Sequence, residues 1–481
     1  MKVVFINPPN TDQDTYIARS GDRWPHKIKR GKVFGKQMFN RYPIYLMYSA
    51  SIVDQSGYET YVIDAATEDL SSQETINSIK EKHANLVVVE IAEASLESDI
   101  EFIKQLKTQH DCIVAITGPT ATHFRKKFIT SHTFIDLAFN GENFSILRDF
   151  IAHAMIKEKW NEIKGLAYID NGEYIETEKN ILLPIEELPW PNRQLLDQKD
   201  YLLSHFTYKP QMVMISSIGC PHKCVFCLWP QTLYGPKMRF RSPDDVAKEM
   251  LFLKNNYGAK EIYFDDDTFN INEKRAMEIS QAILDNNVNI SWMCQMRCDR
   301  VSDEMLKLMK KSGCVKILYG VESGSQEVLD LSGKRIKRED IISAFEMTHK
   351  NKIRTHGTFM LGLPGENEET IKETFKLARI LKPDTLQCSL ATPYPGTEFY
   401  ELAKKEGWLK YDHLSEFDGE LGGVIEYPGL RKEVAKNMVN EFYKQYYFTF
   451  DYILRQLPRV FKYRDLKRFI NMGIGAIRRF S

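Results

Sequence analysis

Apolar and polar positions alternate along the first 150 residues in a pattern of short apolar runs separated by longer amphipathic segments. The runs are of strand length and rich in valine and isoleucine, which is typical of strands buried on both faces. Together these elements predict a doubly wound parallel sheet of the Rossmann or flavodoxin type over residues 1–150. The predicted strands are Lys2 to Asn7, Glu59 to Asp64, Asn85 to Ile91, Asp111 to Thr117 and Ile135 to Asn140.

Small or polar residues follow each of these predicted strands. In an open parallel sheet, ligands bind beyond the carboxyl ends of the strands, so these residues are candidates for a binding site. The candidate residues are Asn7, Ser95, Gly118, Thr120, Gly141 and Glu142.

The pattern changes between residues 151 and 210. An Asn171-Gly172 pair lies between two short alternating segments and predicts a β-hairpin, because both residues tolerate positive φ at low cost. A proline-rich stretch from Leu188 to Arg193 follows and predicts an extended connector. We interpret this region as a hairpin and linker.

A second series of strand and helix segments covers residues 211–407. Its regular spacing predicts a parallel barrel or partial barrel, with the active site at the carboxyl ends of the strands. After the first strand at Met212, the further predicted strands are Ala259 to Phe264, Asn289 to Gln295, Val315 to Val321, Ile353 to Leu361 and Asp384 to Leu390.

Three cysteines, Cys220, Cys224 and Cys227, form a C-x3-C-x2-C loop directly after the first of these strands. Three thiolates can hold three irons of a 4Fe-4S cube and leave the fourth iron open, which makes that iron a reaction site. Two other interpretations stay open: buried small hydrophobic residues, or a structural zinc site completed by His222. The other five cysteines form no second pair of the usual zinc-site type.

This loop resembles the signature of the radical SAM superfamily, whose members bind S-adenosylmethionine at the open iron and cleave it to a 5′-deoxyadenosyl radical. The resemblance implies a (β/α)6 partial barrel. It also implies that Asp266 receives the methionyl amino group, with Asp265 and Asp267 supporting it or capping the loop, although aspartates here also suit a turn with helix capping. The residues that it assigns to S-adenosylmethionine are Phe226, Asp266, Arg297, Glu322, Ser323 and Leu361. For Arg297, an ion pair at the barrel rim is the alternative.

The N-terminal layout is similar to the cobalamin-binding domain that precedes many radical SAM cores. The opening Asn7-Pro8-Pro9, the turn at Gly118 and the pair Gly141-Glu142 carry this resemblance. The chain departs from other cobalamin proteins because it has no Asp-x-His-x-x-Gly segment to supply a lower cobalt ligand. The alternative is a vestigial or purely substrate-binding flavodoxin-like domain.

The segment from Cys227 to Thr232 resembles radical SAM proteins of hopanoid biosynthesis, and the general layout also resembles the magnesium-protoporphyrin cyclases. Within that segment, Trp229 is expected to cover the cluster, a ring packed against the adenosine being the alternative. The resemblance implies a large, lipid-like or tetrapyrrole substrate.

Residues 408–481 form a helical extension in which aromatic and basic residues interleave from Tyr447 onward. Such a segment is typical of a helix lying on an anionic membrane, or of a helical cap packed on the barrel. Lysine plus arginine equals aspartate plus glutamate, at 65 each, which argues against nucleic-acid binding by bulk charge. Eight cysteines without a signal-peptide pattern favour a reducing cytoplasm.

Taken together, these patterns predict a cytoplasmic radical SAM enzyme, with possible peripheral membrane contact, that uses a 4Fe-4S cluster, S-adenosylmethionine and cobalamin. The predicted reaction is methyl transfer to an unactivated carbon of a lipid-like or other large substrate. The expected partners are a small-molecule or lipid substrate and an electron donor such as flavodoxin or ferredoxin. Radical rearrangement or cyclisation of a lipid or tetrapyrrole is the alternative within the same class. A structural iron-sulfur or zinc protein is the alternative from another class.

Overall fold

The computed structural model describes most of the chain. The described residues are 1–10, 15–19, 24–29, 32–33, 36–37, 40–153, 156–197, 201, 207–419 and 423–462, and side chains are described for these ranges except 28–29, 32–33, 36–37 and 457–462.

The N-terminal sheet has seven strands. In spatial order they are Glu173–Glu176, Leu166–Asp170, Leu137–Phe139, Ile113–Thr117, Leu86–Glu90, Lys2–Asn7 and Glu59–Asp64. The last five pair in parallel, and the two-stranded hairpin joins antiparallel at the edge next to Leu137–Phe139. This is the flavodoxin order, in which the chain reverses direction between the first and third strands, and that reversal opens a crevice at their carboxyl ends.

Both faces of this sheet are buried, as its apolar runs predicted. Val3 and Phe5 pack on one side with Met47, whereas Val4 and Ile6 pack on the other side with Ile103. The helices that cover the two faces are Ile44–Gln55, Ser72–Glu81, Leu96–Gln109, Pro119–Ser131 and Phe144–Ala152. Because the predicted hairpin extends this sheet, the N-terminal unit continues to Glu176, beyond the boundary at residue 150 that the sequence suggested.

The second sheet has six parallel strands. In spatial order they are Gln211–Met214, Glu261–Phe264, Ser291–Met296, Cys314–Glu322, Arg354–Leu361 and Thr385–Leu390. The helices between them are Pro243–Tyr257, Glu273–Asp285, Asp303–Lys311, Gln326–Leu331, Arg338–Lys350 and Glu368–Leu381, followed by Glu398–Lys405. Spatial order follows chain order and the first and last strands do not pair, which confirms the predicted (β/α)6 partial barrel.

Two C-terminal helices, Lys432–Tyr447 and Phe450–Lys462, follow the barrel. The first lies along the open edge of the last barrel strand. There the Tyr443 hydroxyl accepts a hydrogen bond from the Cys388 N–H at 2.8 Å and donates to the Cys388 carbonyl at 3.1 Å, and Tyr447 does the same at Leu386. The described part of the extension therefore acts as a cap that satisfies an exposed strand edge. Within the described residues, no helix is both long and apolar enough to cross a membrane.

The two sheets share one apolar cluster. Side chains of the N-terminal helix Ile44–Gln55 join barrel residues such as Val213 and Tyr263 in this cluster. Trp229 belongs to it and meets Tyr45 edge-to-face at 4.5 Å, so it packs between the two units. Packing at this joint is the observed role of Trp229, and its cover over the cluster stays a prediction.

Candidate functional site at the mouth of the barrel

The cysteine loop begins with a backbone conformation that suits glycine. Gly219 has φ 109°, and a Cβ atom there would collide with the carbonyl oxygen of Lys237. Its N–H donates to the Asp267 carboxylate at 3.0 Å, and Tyr234 donates to the same carboxylate at 2.7 Å. Asp267 thus has the loop-holding role that its position suggested. The direction in which Cys220 leaves the strand is fixed by these contacts.

Gln231 holds the other end of the loop. Its side-chain amide donates to the carbonyl oxygens of Cys224, Val225 and Cys227 at 3.2, 3.1 and 2.7 Å. Its carbonyl oxygen accepts from the Glu398 N–H at 2.7 Å, at the start of a barrel helix. One side chain therefore ties two of the three cysteines to the barrel frame.

The turn after helix Gln326–Leu331 supports the loop from a third direction. Val225 donates its N–H to the Ser332 carbonyl at 3.0 Å. Gly333, with φ 69°, packs so closely that a Cβ atom would collide with the Lys223 carbonyl. A larger residue at position 333 would push the loop outward.

The thiols lie in a partly desolvated and cationic setting. Cys220 and Cys224 are buried and Cys227 is partly exposed. Burial raises the pKa of the Cys220 and Cys224 thiols, and at Cys224 the positive charges of Lys334 and Arg297 oppose that rise. Cations at this position favour thiolates over thiols, and thiolates are the form that binds iron.

Two cations beside Cys224 are held by carboxylates. Arg297 donates two hydrogen bonds to Asp299, at 3.0 and 2.9 Å, and a third to the Lys334 carbonyl at 3.0 Å. Lys334 donates to Glu322 at 2.7 Å. Glu322 has φ 65°. A Cβ atom at Gly320 would lie 2.6 Å from the Glu322 carboxylate, so the absence of a side chain at Gly320 leaves room for the ion pair of Glu322 with Lys334.

Asp266 is engaged with the strand that leads into the cysteine loop. Its carboxylate is fully buried and accepts from the Ser216 N–H at 2.7 Å, from the Ser216 hydroxyl and from the Ser217 hydroxyl at 2.6 Å. These bonds give Asp266 an observed structural role. Its contact with S-adenosylmethionine stays a prediction.

The remaining predicted residues of the barrel surround the same rim. Ser323 is fully buried and pairs its hydroxyl with Thr374 at 3.2 Å. Leu361 is fully buried on the helix-covered face, and Phe226 packs against the same core with part of its ring exposed. Their contacts with a cofactor also stay predictions.

Asn7 and Ser95, at the crevice of the N-terminal sheet, are joined by Arg19. Its guanidinium donates to Asn7 at 3.2 Å and to Ser95 at 3.0 Å, and pairs with Asp99 at 2.8 Å with both side chains fully buried. Asn7 also donates to Asp64 at 2.7 Å. The network closes the part of the crevice nearest to these two candidates.

A second part of this edge holds buried polar atoms without a well-formed hydrogen bond to any described residue. They are both carboxylate oxygens of Glu93 and the hydroxyls of Thr120 and Ser145. Burial raises the pKa of Glu93 to about 7, with the Thr120 hydroxyl only partly offsetting it. Gly118 lies beside them with φ 104°, where a side chain would crowd the Ile91 carbonyl at 3.2 Å. Such atoms are costly to bury unless a ligand or water completes them.

Gly141 and Glu142 lie where the two units meet. Glu142 forms a buried bidentate ion pair with Arg239, in which one N–H···O distance is 2.9 Å. The backbone N–H of Glu142 donates to the Leu233 carbonyl at 3.0 Å. A Cβ atom at Gly141 would lie 2.9 Å from that same carbonyl. The observed role of the pair is to join the sheet to the segment after the cysteine loop.

Sequence reasoning missed several residues that shape the site. Gln231 follows the loop at a spacing that no general pattern marks, and Arg19, Lys334 and Arg239 find their partners only in the folded chain. A buried positive charge in a polar segment carries no local signal of its partner. No three Cys, His, Asp or Glu side chains in the described part of the chain are gathered at a point where a single metal ion would bind. The role of the three thiols therefore depends on their spacing and their surroundings.

Comparisons with known proteins agree with this geometry. Residues 214–378 match the model of the radical SAM superfamily. An uncharacterised methyltransferase of Pyrococcus horikoshii is 31% identical over 377 residues, covering 77% of this chain and 81% of the relative. The anaerobic magnesium-protoporphyrin IX monomethyl ester cyclase of Cereibacter sphaeroides is 24% identical over 498 residues, covering 99% of this chain and 76% of the relative.

Among solved structures, the radical S-adenosylmethionine methyltransferase TsrM from Kitasatospora setae matches with a TM-score of 0.68 at 16% identity, covering 92% of this chain and 88% of that one. The cobalamin-dependent S-adenosylmethionine radical enzyme OxsB also matches with a TM-score of 0.68, at 14% identity, covering 98% of this chain and 71% of that one. These similarities concern the arrangement of both sheets.

Proposed function

The chain belongs to the radical SAM superfamily, and from that premise we propose that it is a cobalamin-dependent methyltransferase acting on a small organic molecule. As a radical SAM enzyme it uses a 4Fe-4S cluster and S-adenosylmethionine. The observation that carries the proposal is the pairing of a cysteine loop at a barrel mouth with an N-terminal sheet whose carboxyl edge keeps unsatisfied buried polar atoms.

We assign Cys220, Cys224 and Cys227 to the cluster. When bound, the cluster and S-adenosylmethionine supply a 5′-deoxyadenosyl radical, and cobalamin supplies a methyl group. The protein holds the loop rigid through Gln231 and Gly333, and it keeps Arg297 and Lys334 beside Cys224 to offset negative charge. Reductive cleavage consumes one electron, for which we propose a donor such as flavodoxin or ferredoxin.

Cobalamin fits the donor set at the carboxyl edge of the N-terminal sheet. The corrin ring carries amide side chains, which can pair with the hydroxyls of Thr120 and Ser145 and with Glu93. The absence of a side chain at Gly118 allows close approach. The matched structures of TsrM and OxsB contain cobalamin, which supports the same assignment. Asn7, Ser95, Gly141 and Glu142 then act as supports of the crevice rather than as contacts.

Anaerobic reconstitution tests the proposal. The protein is refolded or expressed with iron, sulfide and hydroxocobalamin, and bound corrinoid is measured after gel filtration by its visible absorption. We expect roughly one corrinoid per chain, and weaker retention in a Thr120→Val variant, because an unpaired amide costs about 1–3 kcal/mol. A matched control is Thr130→Val, at an exposed position of the same helix. Protein that takes up iron but no corrinoid would refute methyl transfer through cobalt.

A ring-forming reaction on a tetrapyrrole is the second candidate. The observation that favours this candidate is the alignment of the cyclase relative, which covers 99% of this chain. Label from methyl-labelled S-adenosylmethionine distinguishes the two, because a methyltransferase incorporates it in the product and a cyclase does not.

Membrane contact through the C-terminal helix stays part of the proposal. Phe450 and Leu454 are 76% and 48% exposed, while Tyr452 between them packs on the barrel. The basic residues from 463 onward lie outside the described residues. Pelleting with anionic phospholipid vesicles tests this: Phe450→Ser with Leu454→Ser should reduce pelleting, whereas Ile181→Ser, 70% exposed elsewhere, should not. Equal pelleting of both variants would contradict it.

A further inference from the structure

The two faces of the barrel sheet differ in character. Phe359 and Cys388 pair in register on the face that the helices cover, and both are nearly fully buried. Thr358 and Gln387 also pair in register, on the opposite face, and both keep part of their surface exposed. Because side chains alternate along a strand, these positions face the lumen of the barrel. This part of the lumen face thus keeps polar side chains accessible, next to apolar residues of the same face such as Met360 and Leu318.

Several of these lumen groups have hydrogen-bonding capacity to spare. Among the described residues, the side chains of Gln387 and Ser389 form no hydrogen bond. Gln295 lies on the third strand and uses its amide N–H groups on Tyr263 and Asp265, while its side-chain carbonyl oxygen has no donor among the described residues. The three side chains are uncharged, and together they offer both donors and acceptors.

An apolar group held against these three side chains would be unfavourable. A primary amide that loses water without gaining a partner costs about 1–3 kcal/mol, and two glutamines and a serine would each incur such a cost. A ligand with hydroxyl, amide or carbonyl groups replaces the lost water contacts instead. Discrimination of this kind exceeds what an apolar pocket achieves between ligands of similar shape.

We propose that the substrate portion held in the barrel lumen is an uncharged polar group, recognised by Gln387, Ser389 and Gln295, and that the enzyme acts on a hydroxyl- or amide-bearing small molecule rather than on a hydrocarbon lipid. This inference rests on the proposed function, since it assigns the substrate of the same site. It replaces the lipid-like substrate that the sequence suggested.

The test uses the reconstituted full-length enzyme and two metabolite extracts of one cell culture, one water-soluble and one chloroform-soluble. Formation of 5′-deoxyadenosine above the no-extract rate reports which extract contains the substrate. We expect stimulation by the water-soluble extract. We also expect Gln387→Leu to raise the extract concentration for half-maximal stimulation about tenfold, as loss of about one buried hydrogen bond predicts. Ser389→Ala removes a smaller group and should act in the same direction, and Gln281→Leu, exposed on a barrel helix, should have no effect.

Two results would overturn the inference. One is stimulation by the chloroform-soluble extract alone. The other is weaker binding of labelled S-adenosylmethionine to Gln387→Leu in the absence of extract, because the amide would then belong to the cofactor. Failure of the proposed function has a different signature: stimulation by an extract without transfer of the labelled methyl group to any product refutes methyl transfer while leaving the substrate class decided.

Discussion

Two regions of the molecule differ in how their polar side chains are satisfied: the crevice beside Asn7 and Ser95, and the lumen of the barrel. At the crevice of the N-terminal sheet, Asn7 and Ser95 are already paired through Arg19, and the ion pair of Arg19 with Asp99 is fully buried. In the barrel, the polar residues that face the lumen, such as Gln387, keep open hydrogen-bonding groups.

The difference shows that polar residues at strand ends do not have one meaning. Arg19 is paired with Asp99 from the same chain, because a buried ion without a partner is costly. At Glu93, burial instead raises the pKa to about 7, which favours the uncharged form. Uncharged amides and hydroxyls beside a solvent-filled space need no partner from the chain, because water forms hydrogen bonds with them until a ligand binds. A buried ion pair therefore marks a support of the site, whereas polar groups that lack a partner in the chain are candidates for contacts with a ligand.

The largest effect is expected at the cysteine loop. Cys224→Ala removes one of three proposed cluster ligands, so we expect loss of the cluster and of S-adenosylmethionine cleavage. Iron content and the sulfur-to-iron charge-transfer absorption measure this after anaerobic reconstitution. Cys112→Ala, a buried thiol of the N-terminal unit, is the matched control and should retain both. Equal iron content in the two variants would contradict the assignment.

The next effect concerns the closed crevice. Arg19→Met leaves Asp99 buried without its partner and should lower the free energy of unfolding by about 3–5 kcal/mol. Urea denaturation followed by circular dichroism measures it. Arg148→Met breaks a pair whose side chains are 48% and 52% exposed, and should cost at most about 1 kcal/mol.

Adding Asp99→Leu to Arg19→Met should restore much of the stability, since no charge then remains buried without its partner. An Arg19→Met variant as stable as the Arg148→Met control would show that this network does not hold the crevice.

Glu93 predicts that the stability of the N-terminal unit depends on pH. Burial raises its pKa from 4.5 to about 7, so the folded state binds a proton more tightly than the unfolded chain. Stability should therefore fall as pH rises from about 4.5 through about 7, by up to about 3 kcal/mol for this group. In corrin-free protein, Glu93→Gln should remove that loss, giving a higher unfolding free energy than wild type at pH 8 and a similar one at pH 4.5. Parallel wild-type and variant curves would contradict it.

The smallest effect is at the capped edge of the barrel. Tyr443→Phe leaves the Cys388 N–H and carbonyl without their hydroxyl partner and should cost about 1–3 kcal/mol. Thermal unfolding measures the change. Tyr208→Phe, at an exposed position, should have no effect. If the two variants melt together, the C-terminal helix stabilises the barrel only through apolar packing.

Much of the fold was predictable because the strands are short, apolar and regularly spaced. Val3 to Ile6 are all fully buried, as a strand covered on both faces requires, and the barrel strands follow one another in chain order. The hairpin was predicted correctly from Asn171 and Gly172, but its place at the edge of the N-terminal sheet was not. Which strands pair depends on the elements that lie next to each other in the folded protein, and the local sequence pattern does not contain that information.

The site was predictable in part. The three cysteines stand out because their spacing itself carries the chemistry, whereas Glu142 was expected at a ligand and is paired with Arg239, 97 residues away. Asp266 was expected at the cofactor, and its carboxylate is observed on Ser216 and Ser217. A carboxylate that follows a strand can bind a ligand or accept hydrogen bonds from a neighbouring loop. Which of the two it does depends on the groups that surround it in the folded protein.

The sequence by itself determined the two successive parallel sheets and the cysteine loop after the first barrel strand, because apolar periodicity and ligand spacing are local properties. The tertiary structure decided which polar residues support the site and which remain open to a ligand. That distinction depends on contacts between residues far apart in the chain, on burial, and on which face of a strand each side chain occupies.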